Sequence, residues 1–336
     1  MNYMAFIFDK NKTIKIYVNQ NEPTSLLLAV DSLKQDLEAI FGDVIIIDDQ
    51  MKADILVASD SSFRYNEESF YCIMSSRIYI TGKDDLGAIF AIYSFLENEL
   101  NVPPFYKIEG LKLRKRDSLE LVDKTVNTHP HTRWRGWFVN DEDLLTGYKN
   151  LGTRDIDYNF YTKVIHPDMM DLIAETALRY RMNLIIPSTL VDICSPYEEK
   201  LIEVCSRRGL YISQHHIEPM GVSKFGFANY VKANNLKEGF SFVSNEETLT
   251  KCWEYYASKW SKYPRVIWQL GLRGGTDRPV WVTESNIPES SEARGELISR
   301  AIKKQYDIMI LPICVYGHPV LRRKTQIVDL KDEQIL

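Results

Sequence analysis

Three short clusters carry residue types from which a reaction could be built. "NDED" places Asn140, Asp141, Glu142 and Asp143 directly after the aromatic, β-branched run "RWRGWFV". A carboxylate in such a position can give or take a proton, although an acidic run can also simply open a helix, where the dipole favours it. "HHIEPM" brings His215, His216 and Glu218 together. A histidine there can donate a hydrogen bond to a ligand. Zinc is the alternative, but HExxH is absent and adjacent histidines on a strand point to opposite faces, so at most one faces a given pocket. "GLRGGTD" sets Arg273 ahead of Gly274, Gly275 and Asp277. A guanidinium can hold a carboxylate through two parallel hydrogen bonds. The glycines allow close backbone approach, and Asp277 can act as acid or base. The plainer possibility is a turn in which Arg273 and Asp277 pair with each other. The stretch is not a P-loop, because GxxxxGK[ST] is missing.

These groups need elements to position them. In the first third, "TIKIYV", "VIIID" and "ADILVAS" predict strands, and "SFYCIMSSRIYITGK" predicts a hairpin around Ser75 and Ser76. "EPTSLLLAVDSLKQDLEAIFG" predicts a helix, with Pro23 near its start and Gly42 past its end. "DDLGAIFAIYSFLENELNVPP" predicts a second helix, closed by Pro103 and Pro104. Gly82 and Gly87 flank its start without forming GxGxxG, so they indicate a tight turn with close helix packing rather than a nucleotide site. "KLRKRD", Lys112 to Asp117, is expected as a solvated linker and not a nucleic-acid patch.

From about Thr132 strands and helices alternate. "RWRGWFVND" is followed by "HPDMMDLIAETALRYR", "MNLIIPST" by "SPYEEKLIEVCSRRG", "LYISQHH" by "SNEETLTKCWEYYASKWSKY", and "RVIWQLGLRGG" by "SEARGELISRAIKKQ". "DIMILPICVYG" is expected as one further strand, and the stretch from Leu144 to Ile165 as a long loop. Strands separated by helices of this length make a parallel sheet. The four strand ends carry Asn140 and Asp141, then Ser188 and Thr189, then His215, His216 and Glu218, then Arg273 and Asp277. In a parallel sheet or barrel those ends share one face, where the active sites of such folds lie. The expected organisation is α/β, with an N-terminal α/β domain over 1–115, a site-bearing sheet or barrel of about four to five parallel strands over 130–320, and a C-terminal tail over 321–336.

Bulk properties narrow the function. Hydrophobic residues make up 45% of the 336 and charged residues 26%, which is an ordinary globular composition, and the net charge of −5 argues against a general nucleic-acid binder. Cys72, Cys194, Cys205, Cys252 and Cys314 contain no CxxC, so reduced thiols are expected rather than a disulfide framework or a zinc knuckle. No apolar run reaches the ~20 residues that span a bilayer, and the N-terminus lacks the pattern of a secretory signal, so a cytoplasmic location is expected. Trp134 and Trp137 could stack on a sugar ring, though core packing explains most aromatics equally well.

In their order, "ITGKDDLGAIFAIYSFLENELNVPPFY", "RGWFVNDED", "HHIEPM", "SNEETL" and "VIWQLGLRGGTDRPVW" resemble glycoside hydrolase family 115, the xylan α-glucuronidases. The resemblance spans roughly Arg77 to Ile310. It implies an N-terminal α/β domain followed by a TIM-like barrel, here incomplete. It also implies inverting hydrolysis of the α-1,2 bond joining glucuronic acid, or its 4-O-methyl form, to xylose in xylan. Water is then the nucleophile, and no metal or organic cofactor is expected. The partner implied is a glucuronic-acid-bearing oligosaccharide. Asp141 and Asp277 become the expected catalytic carboxylates, and Asn140, His215, His216, Arg273 and Glu218 the expected substrate-binding groups. The chain departs from the family in length. Family members carry a further glutamate with the fifth barrel strand, whereas Tyr316 and His318 stand here. The chain is therefore expected to be an incomplete form, with an open edge that a second copy could cover. A different class competes with the hydrolase, namely a non-catalytic carbohydrate-binding or interaction module that kept the pocket. An unrelated α/β hydrolase is disfavoured because GxSxG is absent.

Overall fold

The computed structural model describes residues 4–62, 66–140, 142–154, 156, 162–274, 278–284, 286–310, 314–315 and 318–319. It forms two compact units. The first comprises Met1–Trp137, Asp171–Leu184 and Arg207–Leu210; the second comprises Phe138–Met170, Ile185–Ser206 and Tyr211–Leu336.

The first unit begins with β1 (Met4–Asp9), β2 (Ile14–Val18), α1 (Thr24–Phe41), β3 (Val44–Ile47), β4 (Ile55–Ser59), β5 (Phe70–Met74), β6 (Ile78–Gly82) and α2 (Asp85–Leu100). β7 (Ser118–Val122) and β8 (Lys124–Thr128) follow. Six strands form one sheet in the order β3-β2-β4-β6-β5-β8, parallel from β3 to β6 and antiparallel through β5 and β8. α1 repeats its apolar residues at helical spacing: Leu26, Ala29, Val30, Leu33, Leu37, Ile40 and Phe41 are all buried. Each leucine so buried contributes roughly 1.5–3 kcal/mol. At the turn into α2 the Asp84 side chain accepts from the Gly87 N–H at 2.8 Å. A Cβ on Gly82 would stand 1.9 Å from the Ala88 nitrogen, which is the tight turn that the two glycines predict. The segment after the linker adds two strands that periodicity does not reveal, β7 pairing with β1 and β8 with β5.

The rest of the chain supplies β9 (Gly136–Phe138), α3 (Glu142–Leu145), β10 (Asn150–Thr153), β11 (Lys163–Ile165), α4 (Pro167–Arg179), β12 (Leu184–Ile186) and α5 (Pro196–Arg207). β13 (Tyr211–Ser213), α6 (Lys224–Asn234), α7 (Glu246–Trp260), β14 (Val266–Ile267), α8 (Val280–Thr283) and α9 (Ser291–Ile310) complete the second unit's main elements. Among the described residues the central sheet has four parallel strands in the order β14-β13-β12-β9. Ile185 and Ile212 lie at its centre with no exposed surface. α7 turns Leu249, Cys252, Trp253, Tyr256, Ala257 and Trp260 inward, a stripe at helical spacing.

Two expectations change. The stretch from Leu144 to Ile165 is not one loop, because β10 and β11 pair antiparallel within it. The hairpin is framed by hydrogen bonds from the His166 N–H to Lys149 O at 3.1 Å and from the Arg154 N–H to Thr162 O at 2.7 Å. Among the described residues, "DIMILPICVYG" supplies no fifth parallel strand. Its first four residues, 307–310, finish α9, whose buried positions Leu297, Ala301, Gln305 and Ile308 keep the helical period. Further on, only β15 (Cys314–Val315) is described, pairing antiparallel with β16 (His318–Pro319). The segment that follows β14 is met by α9. The Gln305 side chain accepts from the Gly271 N–H at 2.8 Å and donates to Gly271 O at 2.7 Å.

Candidate functional site

The C-terminal ends of the four parallel strands are tied to one another. Beyond β9, the Asn140 carbonyl accepts from the Thr189 hydroxyl, which follows β12, at 2.5 Å. Beyond β13, the Gln214 side chain accepts from the Gln269 N–H, which follows β14, at 3.0 Å. The Gln269 carbonyl accepts from the Met220 N–H at 2.9 Å. The chain after β14 thus stays at this end of the sheet as it runs toward Arg273.

The expectation that the two histidines face opposite ways does not hold: both lie past the end of β13, and their ring centroids are 4.0 Å apart. His215 is buried and stacks on Phe138, with ring centroids 5.0 Å apart, whereas His216 is exposed. Asn140 is exposed and Arg273 half-buried. Asp141 and Asp277, the two expected catalytic carboxylates, lie outside the described residues, as does Gly275. Glu142 opens α3, so the acidic run does lead into a helical turn. Gly274 has a packing reason for its lack of side chain, because a Cβ there would stand 2.0 Å from the Thr283 hydroxyl.

Glu218, expected among the substrate-binding groups, turns inward instead. It is 1% exposed, and its two carboxyl oxygens accept from the Val191 N–H at 3.0 Å and the His215 N–H at 3.4 Å. It therefore joins the ends of β12 and β13. Burial holds its carboxyl well above the usual range; neighbouring Glu198 adds to this, while the two N–H donors and Arg154 oppose it.

Sequence reasoning missed a second group of polar residues next to this one. The Arg154 guanidinium, carried by the hairpin segment after β10, donates to the Ser188 hydroxyl at 3.0 Å and lies 3.3 Å from the Glu198 carboxylate. Glu198 stands in the first turn of α5 and also accepts from the Asp192 N–H at 2.8 Å. Burial pushes its carboxyl up to about 7, outweighing the attraction of Arg154 and the bond from Asp192. Asp192 accepts from the Tyr256 hydroxyl at 2.9 Å and the Cys194 N–H at 2.8 Å, and burial raises it too. Arg154, Asp192, Cys194, Glu198 and Tyr256 border a cavity of about 460 Å³ that residues of α6 also line. The one available sequence signal was "SPYE", which has the spacing of a helix cap whose acid folds back on the backbone. Among the described residues no group of three His, Cys, Asp or Glu could hold a metal ion. None of the helices searched there is long and apolar enough to cross a membrane.

Against known proteins, the family model described as Glycosyl hydrolase family 115 matches residues 127–312. No curated protein matches the chain. Among solved structures, one similar fold is a family GH115 4-O-methyl-α-glucuronidase with specificity for decorated arabinogalactans. The TM-score is 0.75 at 19% identity, over 90% of this chain and 40% of that one. Another is the β-N-acetylhexosaminidase of Bacteroides fragilis NCTC 9343, with a TM-score of 0.53 at 13% identity, over 92% of this chain and 63% of that one. The chain thus spans less than half the length of the glucuronidase whose fold it shares.

Proposed function

The chain belongs to glycosyl hydrolase family 115, and from that premise we propose that it acts on a glucuronic-acid-decorated glycan, releasing glucuronic acid or its 4-O-methyl form with inversion. We read the four parallel strands with their helices as part of a (β/α) barrel. The observation that carries the proposal is the tied cluster at the strand ends, where Asn140, the exposed His216 and the chain leading to Arg273 share one end of the sheet.

The chemistry follows from the substrate. A uronic acid brings a carboxylate, and the Arg273 guanidinium can hold it through charge-assisted hydrogen bonds. Asn140 and His216 are suited to the ring hydroxyls. Inversion needs one carboxylic acid to protonate the departing glycosidic oxygen. A second carboxylate takes a proton from the water that attacks the anomeric carbon, and the two stand about 6.5–9.5 Å apart. Asp141 and Asp277 are our candidates for that pair, on the strength of their motif positions.

Incubation with aldouronic xylo-oligosaccharides and with uronic-acid-decorated arabinogalactan oligosaccharides should yield free uronic acid. Asp277→Asn should abolish release while binding persists. Arg273→Ala should weaken uronate binding by about tenfold to a hundredfold, the equivalent of one lost charged hydrogen bond. A protein that neither binds nor releases uronic acid would end the proposal. Binding without release would favour the second reading, a non-catalytic carbohydrate-binding module.

A further inference from the structure

The cavity beside the strand ends has its own chemistry. Its volume of about 460 Å³ falls within the roughly 300–1,000 Å³ of small-molecule sites. Four tyrosines line it from three helices: Tyr197 on α5, Tyr230 on α6, and Tyr255 and Tyr256 on α7. Tyr197 and Tyr255 are 47% and 40% exposed, so large ring faces stand in water at the rim. Tyr230 and Tyr255 have centroids 5.3 Å apart, and Tyr255 and Tyr256 6.0 Å, which makes one connected aromatic wall. The floor is polar, with Asp192, Glu198 and Arg154. Aromatic faces at the rim over hydrogen-bonding groups below suit a ligand with apolar C–H faces and a girdle of hydroxyls.

We infer that this cavity is a binding site for an uncharged sugar unit of the glycan, separate from the strand-end group that takes the uronate. The inference rests on the glycan reading of the chain. Charge decides against two rivals. An anion would meet two carboxyl groups and an Arg154 guanidinium that already lies 3.3 Å from Glu198. An organic cation would look for an aromatic face, but the Lys259 ammonium already stands 5.2 Å from the Tyr255 ring centroid. A neutral polyol meets neither obstacle. Its hydroxyls can donate to Asp192 and Glu198 in either protonation state, since a carboxyl group accepts in both.

The test is calorimetric titration of the whole chain with xylotetraose and with β-1,3-galactotriose, both uncharged, and with tetramethylammonium as the cationic control. The expected result is binding of at least one neutral oligosaccharide, weakened about threefold to tenfold by Tyr197→Ala and by Tyr255→Ala. Both side chains are exposed enough for the fold to tolerate their loss, and circular dichroism checks it. Binding that survives both substitutions unchanged would overturn the inference, as would tighter binding of tetramethylammonium. Uronate release with no binding of either neutral sugar would overturn it while leaving the proposed activity intact. Neutral-sugar binding that depends on the tyrosines, without any uronate release, would do the reverse.

Discussion

Glu175 in the first unit and Glu198 in the second are buried to nearly the same extent, at 4% and 3% exposure. Their carboxyl groups are nevertheless held in opposite directions. Burial pushes Glu175 up, but Arg179, Lys107 and Arg208 together bring it below the usual range. Their nitrogens lie 2.7, 2.7 and 3.4 Å from its oxygens. Arg179 also reaches Asp36 at 2.8 Å, and Arg208 reaches Asp171 at 2.6 Å. Glu198 has one ion-pair partner among the described residues, Arg154 at 3.3 Å, and burial wins. Desolvation is common to both sites, so the supply of cations decides the sign. The first unit uses buried charge to lock its parts together. The second leaves acids under-compensated, the condition in which a carboxyl can carry a proton near neutral pH.

The largest effect that could break this contrast is Arg179→Ala. It strands Asp36 and Glu175 without their shared guanidinium, and a loss of about 3–5 kcal/mol is expected in urea unfolding. A loss below about 1 kcal/mol would mean that the network is not a lock.

A pH comparison sharpens the same contrast. In the folded chain Glu198 titrates at about 7, against 4.5 for an ordinary glutamate. Between those values the unfolded chain has released a proton that the folded chain keeps, so stability falls as pH rises through the window. The full displacement corresponds to about 3 kcal/mol. Glu198→Gln should therefore gain on wild type by up to about that amount between about pH 4.5 and pH 8, measured by thermal unfolding. Glu175→Gln should behave oppositely. Its folded carboxyl sits below the unfolded one, so its stabilisation is present above the unfolded value and lost as pH falls through the folded value. The variant's deficit should be largest near neutrality and shrink in acid. Equal pH slopes for the two variants would dissolve the distinction.

The smallest expected effect is that of Tyr256→Phe, which removes one donor to Asp192. A cost of about 1 kcal/mol is expected, with Asp192 becoming still harder to ionise.

Much of this frame is legible in the residues themselves. α1, α2 and the β5–β6 hairpin follow from spacing and from Pro23, Gly42, Pro103 and Pro104 at the helix boundaries and Ser75 and Ser76 at the turn. The positions of Asn140, His215 and Arg273 at strand ends follow from the alternation of elements. What escapes local reading is set at long range. Arg154 stands in a polar stretch, and only the fold brings it to Ser188 and Glu198, 34 and 44 residues further on. α6 is concealed because Gly226, Phe227 and Val231 alone are buried, too few to make a stripe, and its start is marked by one hydrogen bond from the Gly226 N–H to the Ser223 hydroxyl. β7 and β8 depend on partners more than 40 residues away. The last turn of α9 reads as a strand because Ile308, Met309 and Ile310 are apolar in succession, and tertiary packing decides otherwise.

The amide of Gln305 has a consequence for the segment that leads to Arg273. Gly271 lies four residues past the end of β14, where no strand among the described residues is at hand to take its N–H and carbonyl. Gln305, itself fully buried, offers that single glycine one acceptor and one donor. One side chain thus anchors the backbone two residues ahead of the guanidinium, in a stretch that sheet pairing does not reach.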